Sequence, residues 1–334
     1  MNLKDHILNK DVFTGIYDFS YAPYALGDAI TWQVNLCVKS IDAGKRGIAQ
    51  YIVADPNRPS FPLQKYITVN NYIEYVNNLF PVFLCCPDTI SISIIKDKVS
   101  FDLSLFKSMF HCDHMWPSLV NHFFGKLDYY SHGLINDFFR RNGYIPRLKP
   151  PRGYEASVDD FINKYCSGRF IVSVNVRQRK FYQDLKFLNS KIVLNRDSEL
   201  SEWYSFFKIV GQKYPDVVFL IFGGYMEWER ELYNYGNVMI PRAMGFNLAH
   251  ELTFLHKSNL FMGTSSGFAA MATFSEVPYI ITNYEHAAAK NVDIPLYAIR
   301  YPFALDHQIL SWERETKELL LDLFEPVYSS LKTN

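Results

Sequence analysis

Apolar residues recur along the chain with two different spacings, and each spacing predicts a type of secondary structure. The run at 12–19 is β-branched and aromatic, which indicates a strand. After a turn-rich stretch, apolar positions fall three and four residues apart, which predicts a helix. A second apolar run at 48–53 predicts another strand, and this order has the length of a parallel crossover unit in a doubly wound sheet. The helical positions are Ile30, Val34, Val38 and Ile41.

The second half of the chain alternates strand and helix patterns more regularly. Such βα winding predicts a parallel sheet that binds ligands at the carboxyl ends of its strands. The predicted strands are 170–176, 217–222, 259–262 and 279–282. The predicted helices begin at about Ser198, at Leu248, after Gly267 and at about Ser311.

The middle of the first half has a less regular pattern. Residues 80–97 contain strand-like stretches interrupted by prolines, and residues 116–141 have a helical pattern without clear caps. The sequence predicts a strand and helices there without fixing their ends.

One stretch, 144–153, has the proline and glycine content of an interdomain linker. A chain of 334 residues also exceeds one ordinary hydrophobic core. We therefore predict a first domain at 1–150, a second at 151–310, and a C-terminal helix at 311–334 that packs back across the domains.

Charge and hydropathy restrict the partners. Lys plus Arg equals Asp plus Glu at 34 each, so no overall positive field attracts nucleic acid. No apolar run approaches the roughly 18 residues that a membrane span needs. The first residues lack the apolar core of a secretory signal. We expect a cytoplasmic protein without nucleic acid as a partner, and peripheral association with the inner face of the membrane stays open.

Metal-binding and disulfide patterns are weak. The five cysteines include no CxxC pair, which argues against a disulfide framework or a zinc site and favours buried thiols. His111, Asp113 and His114 have metal-ligand chemistry, but no further cluster completes a site. We predict no metal.

A turn of small residues follows the predicted strand at 259–262. Gly263, Thr264, Ser265, Ser266 and Gly267 precede a helix of small residues. Free N–H groups at a helix start bind phosphate, which predicts a diphosphate site. The alternative is that Ser265 or Ser266 only caps the helix.

Two further strand ends carry polar residues. Gly223 and Gly224 end a strand, and Glu227 follows on a polar stretch, where a carboxylate can accept ribose hydroxyls. The alternative for Glu227 is a solvated surface. Arg177 and Arg179 leave the strand at 170–176 and are suited to neutralise a departing diphosphate. A solvated basic turn is the alternative.

Asp28 follows Gly27 between the first predicted strand and the first helix. An Asp at a helix start is commonly a cap, but an Asp facing an interdomain cleft can deprotonate a sugar hydroxyl. Both interpretations stay open from the residues alone.

These motifs together resemble the bacterial heptosyltransferase-type family of GT-B glycosyltransferases, the ADP-heptose:lipopolysaccharide group. The matching stretches are Leu26–Thr31 (LGDAIT), Ile221–Gly224 with Glu227, Leu248–Leu252 and Gly263–Ala270. The resemblance implies an α/β fold of GT-B architecture, with two Rossmann-like α/β/α domains facing a cleft. It also implies a nucleotide-sugar donor held by the second domain and an acceptor glycan facing the first.

By this resemblance Asp28 stands at the family's base, and Glu227 at the donor ribose. Ser265, Ser266 and Gly267 stand at the donor phosphates. The family's Pro and His after the turn are absent, with Phe268 and small residues instead, so the resemblance does not identify the donor. The NVRQRK stretch at 175–180 is also similar to the basic motif of fucosyltransferases that use GDP-fucose.

The expected function is therefore a metal-independent glycosyltransferase without a cofactor. It would move a sugar from a nucleoside-diphosphate sugar to a hydroxyl of a bacterial surface glycan such as lipopolysaccharide or capsule. Two alternatives stay open. One is a nucleotide-sugar epimerase or hydrolase on the same fold, and the other is a non-catalytic nucleotide-sugar-binding scaffold protein.

Overall fold

The structure is a computed structural model that describes residues 11–58, 64, 66–107, 114–125, 132–177, 197–224, 229–284 and 294–333. The chain divides into two compact units, Met1–Lys149 and Pro150–Asn334. This division falls inside the stretch 144–153, where proline and glycine disfavour both helix and strand.

The first unit contains a parallel sheet in the order β3-β2-β1-β4. Helices connect its strands, as parallel pairing requires. Its described strands are β1 Val12–Asp18, β2 Gly47–Val53, β3 Thr89–Ile95 and β4 Met115–Trp116. Its described helices are α1 Leu26–Asp42, α2 Tyr72–Leu79, α3 Lys98–Lys107, α4 Leu119–Phe123 and α5 His132–Asn142, with a 3₁₀ turn at Phe80–Leu84.

An aromatic cluster holds α1 on the first sheet. Tyr17 of β1 contacts Trp32 of α1 edge to face at 5.1 Å between ring centroids. Phe83 lies 5.3 Å from the Tyr17 ring and 6.0 Å from Trp32. All three side chains are fully buried. Edge-to-face geometry adds to the stabilisation that burial of such rings provides.

The first crossover confirms the sequence prediction, because β1, α1 and β2 occupy the predicted stretches. The helical pattern over 116–141 corresponds to two described helices, the short α4 and α5, whereas Trp116 belongs to β4. Pro117, in a cis peptide bond with Trp116, separates β4 from α4, since proline cannot continue a strand in the sheet.

The second unit contains a parallel sheet in the order β10-β9-β8-β5-β6-β7. Its described strands are β5 Phe170–Asn175, β6 Val217–Ile221, β7 Val238–Met239, β8 Leu260–Thr264, β9 Tyr279–Thr282 and β10 Gln308–Leu310. Its described helices are α6 Glu155–Tyr165, α7 Leu200–Lys213, α8 Leu248–Lys257, α9 Gly267–Thr273 and α10 Lys317–Thr333, with 3₁₀ turns at Arg230–Asn234 and Pro241–Met244.

Helix α7 buries the face that its periodicity predicts. Trp203, Phe206, Phe207 and Val210 are all fully buried against the sheet. Phe219 of β6 contacts Phe207 at 4.7 Å between ring centroids. Burying each such ring stabilises the fold by about 1.5–3 kcal/mol before entropy is subtracted.

The last helix begins later than the sequence predicts. Residues 308–310 form the short edge strand β10, and α10 begins at Lys317. Phe324 of α10 packs on Phe206 of α7 at 5.7 Å between ring centroids. Helix α10 therefore completes the core of the second unit, because its apolar face covers the same sheet as α7. In the part of the chain that the structure describes, no helix is both long and apolar enough to cross a membrane.

Candidate functional site

The order in which the chain adds strands to the second sheet reverses between β5 and β8. The chain builds outward from β5 to β6 and β7, returns to the other side of β5, and continues through β8, β9 and β10. Asn175 at the end of β5 pairs with Gly263 near the end of β8. Ligands of doubly wound sheets bind at such a switch point, beyond the carboxyl ends of the strands. The candidate site therefore lies at this edge of the second unit.

The turn after β8 lies at the switch point. Thr264 ends the strand and is fully buried. Within the described part of the chain, its Oγ1 hydroxyl has no hydrogen-bond partner. Ser265 and Gly267 are half-buried. Ser266 is the N-cap of α9, and its Oγ accepts a hydrogen bond from the Ala269 N–H at 3.3 Å. The capping role that the sequence left open is thus present for Ser266, and the strand-to-helix turn is formed as predicted.

Arg177 approaches the same edge from β5. It lies two residues beyond the strand end and is half-buried. Its carbonyl oxygen accepts a hydrogen bond from the Ser198 N–H at 3.0 Å, which anchors the strand's exit to the start of the α7 region. Arg177 and the turn 264–267 thus come from the two strands that flank the switch point. Arg179 and Glu227 lie outside the described residues.

The glycine pair at the end of β6 is held by a buried carboxylate. Gly223 N–H donates to Glu251 Oε1 at 3.2 Å. Glu251 Oε2 forms an ion pair with Arg242, which follows β7. The Glu251 side chain is fully buried and Arg242 is largely buried, so the pair fixes α8 to the ends of β6 and β7. Gly224 is half-exposed beside this anchor.

Sequence reasoning missed Glu251 and Arg242. A charged residue on the buried face of an otherwise apolar helix was the available signal. In LAHELTFL the positions Ala249 and Leu252 face inward on either side of Glu251. A carboxylate there requires a partner, because an unpaired buried charge is strongly unfavourable.

A second buried carboxylate, Glu315, ties β9 to α7. Glu315 Oε2 accepts a hydrogen bond from Trp203 Nε1 at 2.9 Å, and Oε1 accepts one from Thr282 Oγ1. Thr282 Oγ1 also lies 3.2 Å from the carbonyl oxygen of Gly263. Burial raises the pKa of Glu315, and the hydrogen bonds from Thr282 and Trp203 oppose that rise. Through Thr282, these contacts connect Gly263 of β8 to Trp203 of α7. No local sequence pattern pointed to Glu315, because it lies in a connection.

Two side-chain contacts connect the end of β6 to β5 and to α9. Asn175 Nδ2 donates to the Phe222 carbonyl oxygen at 3.0 Å. This hydrogen bond connects the carboxyl ends of β5 and β6. Phe222 in turn contacts Phe268 of α9 at 5.4 Å between ring centroids. The strand ends that carry the candidate site are therefore rigidly connected to one another.

Asp28 lies in the first unit, in the first turn of α1. The N-cap of that helix is Ala25, so Asp28 is not the N-cap residue that one interpretation of the sequence proposed. It is half-buried. The neighbouring Thr31 Oγ1 donates to the Gly27 carbonyl oxygen at 2.9 Å, which stabilises the turn that carries Asp28. A negatively charged side chain in the first turn interacts favourably with the helix dipole.

Among the described residues, no group of three or more His, Cys, Asp or Glu side chains is arranged to hold a metal ion. Residues 111–113 of the HCDH stretch lie outside the described part, and the His114 carbonyl oxygen accepts from Thr14 N–H at 2.8 Å. The four described cysteines are buried free thiols, as predicted.

The fold of the chain is that of GT-B glycosyltransferases, with two units each built on a parallel sheet. One similar structure is ADP-heptose LPS heptosyltransferase II of E. coli, with a TM-score of 0.55 and 10% identity, covering 96% of this chain and 99% of that one. Another is a glycosyl transferase family 9 protein of Veillonella parvula, with a TM-score of 0.58 and 10% identity, covering 98% and 99%. No protein-family model and no curated protein matches the sequence.

These similarities confirm the predicted fold class. The structures include a protein of the heptosyltransferase family that the sequence motifs resemble. At 10% identity the likeness is one of fold, and a fold of this kind supports many chemistries. Activity must therefore be argued from the site.

Proposed function

We propose that this protein is a glycosyltransferase that takes a nucleoside-diphosphate sugar as donor and transfers the sugar to a hydroxyl of a bacterial surface glycan. The observation that carries the proposal is the switch point between β5 and β8. It brings Arg177 and the turn at 264–267 to one edge of the second sheet. A cation beside a turn with hydroxyl groups and backbone N–H groups is suited to bind a diphosphate.

The chemistry of transfer gives each group a role. As the sugar departs, negative charge develops on the diphosphate, and Arg177 would stabilise it, with Arg179 as a second cation. Thr264 and Ser265 would donate hydroxyl hydrogen bonds to phosphate oxygens. The buried, unpartnered Oγ1 of Thr264 supports this assignment, because a buried hydroxyl without a partner is unfavourable until something pairs with it.

Further site residues extend the proposal. Ser266 and Gly267 would place backbone N–H groups toward the donor, and Gly223 and Gly224 would let it approach the end of β6 closely. Glu227 is proposed at the ribose hydroxyls by resemblance to the family. Asp28 is proposed as the base that removes the acceptor proton. These cations and donors would stabilise the leaving group without a metal ion.

Two other functions use the same donor site. A nucleotide-sugar epimerase or hydrolase would bind the donor and turn it over without an acceptor, and a scaffold protein would bind it without turnover. The resemblance of the sequence motifs to heptosyltransferases favours transfer. The weaker resemblance of 175–180 to GDP-fucose enzymes makes a GDP-sugar one of the donors to test, beside ADP-heptose.

The first experiment measures thermal stability of the full-length protein with ADP-, GDP-, UDP-, dTDP- and CMP-sugars. A ligand at a hundred times its dissociation constant adds about 2.7 kcal/mol. We expect stabilisation by a nucleoside-diphosphate sugar that is lost in Arg177→Ala. Arg314→Ala is the matched control, since Arg314 belongs to the same unit and its side chain is 81% exposed.

Product analysis with the stabilising donor then separates the functions. Sugar on an added oligosaccharide acceptor, lost in Asp28→Asn with donor binding retained, establishes transfer and supports the base assignment. Donor consumption without acceptor establishes the epimerase or hydrolase. Binding without turnover supports the scaffold, and no stabilisation by any nucleotide sugar refutes the proposed donor site.

A further inference from the structure

A chain of ionisable side chains lies at the carboxyl end of β1 in the first unit; three of them are buried and Asp102 is 23% exposed. Lys98 Nζ lies 2.8 Å from Asp18 Oδ2 and 2.8 Å from Asp102 Oδ2. Asp102 Oδ1 lies 2.9 Å from His122 Nε2. The side chains of Asp18 and His122 are fully buried, and Lys98 is 3% exposed. These four residues are called the Lys98 network below.

The charges of the network stabilise one another. Burial opposes the charged form of Lys98, but Asp18 and Asp102 outweigh it, so the pKa of Lys98 is raised. Burial likewise opposes the charge on Asp102, but hydrogen bonds from His122 and Lys98 outweigh it and its pKa is lowered. Removal of one member therefore weakens the compensation of its neighbours' charges, which is costly in a protein interior.

Other groups that face Lys98 come from the neighbouring strand and loop. Asp55, which follows β2, accepts the Lys98 backbone N–H at Oδ2, 3.2 Å away. The ring of Tyr21 lies beside the ammonium, with its centroid 5.4 Å from Nζ. Lys98 thus joins the ends of β1 and β2 to the start of α3.

At its first end the network holds the segment that leads to Asp28. Asp18 Oδ1 accepts the Ser20 N–H at 2.9 Å. The Asp18 carbonyl oxygen accepts the N–H groups of Tyr21 at 2.9 Å and Ala22 at 2.7 Å. The residues 19–25 that connect β1 to α1 are called the β1–α1 loop. Its first half is therefore organised around Asp18, the residue that the Lys98 ammonium neutralises.

Aromatic contacts fix the second half of the β1–α1 loop. The rings of Phe19 and Tyr24 stack at 3.9 Å between centroids. Tyr17 Oη donates to the Pro23 carbonyl oxygen at 2.7 Å. The loop then enters α1 at Leu26, two residues before Asp28. A displacement at Ser20–Ala22 would consequently be passed along a rigid segment to Asp28.

In the first sheet the strand order reverses between β1 and β4. At its other end the Lys98 network reaches the β4 side of this switch point. His122 lies on α4, which follows β4, and β4 pairs with β1 on the side away from β2. The His122 Nδ1 is buried and has no hydrogen-bond partner among the described residues. The Lys98 network therefore bridges the loops after β1 and β4, where doubly wound sheets bind ligands.

We propose that Lys98, Asp102 and His122 are positioning residues that act through Asp18 to hold the β1–α1 loop, and with it Asp28, in the geometry required for sugar transfer. The inference rests on the proposed function for the role of Asp28. The physical step is general: a shift of about 1 Å in a reacting group lowers turnover up to about 100-fold. An apolar contact would keep the elements together but would not fix the loop's orientation through directed hydrogen bonds.

The test compares Lys98→Met with Arg141→Met as a matched control. Arg141 forms an ion pair with Asp42 in the same unit, but its side chain is 55% exposed. Amide hydrogen exchange is measured for both variants. In Lys98→Met the amides of Ser20, Tyr21 and Ala22 should exchange at least tenfold faster, while Ile16 within β1 keeps its protection. Arg141→Met should change none of them.

Turnover provides the second measurement. In Lys98→Met we expect kcat to fall about tenfold to 100-fold, whereas the donor KM and the donor-binding stoichiometry stay unchanged. This pattern locates the defect away from donor binding and excludes a smaller folded fraction as its cause. Equal protection of Ser20–Ala22 in variant and wild type, or unchanged kcat despite lost protection, overturns the proposal.

His122→Gln is the second variant and keeps the proposal testable if Lys98→Met, which removes the cation between two carboxylates, does not fold. It removes only the outer end of the network, so a smaller change in the same amides and in kcat is expected. No change in either measurement overturns the role of His122. Failure of the proposed function is recognised separately, because wild-type protein would then transfer no sugar to an added acceptor, whereas the exchange rates do not depend on turnover.

Discussion

The α-carbon of Gly263 packs directly against the backbone of Asn175, so closely that a Cβ at Gly263 would lie 2.5 Å from the Asn175 carbonyl oxygen. The two residues belong to β8 and β5 and are paired in the sheet. The contact brings the two strand ends of the candidate donor site together at the point where the strand order reverses. A side chain at this position would separate them.

Gly263→Ala should destabilise the protein and weaken donor binding together. The methyl group cannot be accommodated by a rotamer change, because its nearest neighbour is backbone, and overpacking of this kind costs about 1–3 kcal/mol. Denaturant unfolding and donor titration measure the two effects. The control is Gly236→Ala, where a Cβ meets nothing within 4 Å. Equal stability of both variants would contradict the close approach.

Glu251→Ala should lower stability by about 3 kcal/mol, since it removes the buried carboxylate that pairs with the largely buried Arg242 and accepts the Gly223 N–H. Denaturant unfolding gives the free energy. Asp42→Ala breaks the exposed pair with Arg141 and should cost about 0–1 kcal/mol. A loss for Glu251→Ala no larger than that of the control would show that the buried pair does not anchor the β6 end.

Ser266→Ala separates capping from phosphate binding. Loss of the cap on α9 should cost about 1 kcal/mol of stability. Asn247→Ala removes the corresponding cap of α8, where the Asn247 side chain accepts the His250 N–H at 3.3 Å, and should cost a similar amount. Donor affinity, measured by calorimetry, should fall only in Ser266→Ala. A fall of the same size in both variants would indicate that Ser266 acts through helix stability alone.

Glu315 should make stability depend on pH. Because burial raises its pKa above the ordinary 4.5, the folded state holds the proton at pH values where the unfolded state has released it. The contribution to stability is therefore full below about pH 4.5 and is lost as pH rises through the folded pKa. Urea unfolding of wild type and Glu315→Gln across this range should show wild type losing stability relative to the variant as pH rises. A constant difference would contradict the raised pKa.

The sequence predicted those features that depend on neighbours along the chain. The apolar spacing of three and four gave α1, and it gave the inward face of α7 with Trp203, Phe206 and Phe207. The glycine and hydroxyl residues after β8 gave the turn and the cap at Ser266. Local periodicity and capping chemistry determine these elements, because the residues that interact are only a few positions apart.

The short elements were harder to predict. Strand β10 has three residues and α4 has five, too few for a period to be recognised. The later start of α10 reflects the connection at 311–316, where the Ser311 N–H donates to the Ile281 carbonyl oxygen of β9 and Glu315 accepts a hydrogen bond from Trp203 Nε1. Pairing with a distant strand decides such segments, and their own composition does not.

The amino-acid sequence by itself therefore determined the fold class, the main helices and strands, and the turn beside the proposed donor phosphates. Only the tertiary structure decided that β5 and β8 are neighbours, that Glu251 pairs with Arg242, and that Lys98 lies between Asp18 and Asp102. The physical reason is range. Periodicity is set by adjacent residues, whereas strand order and the partners of buried charges are set by packing between residues far apart in the chain, where each buried charge must find compensation.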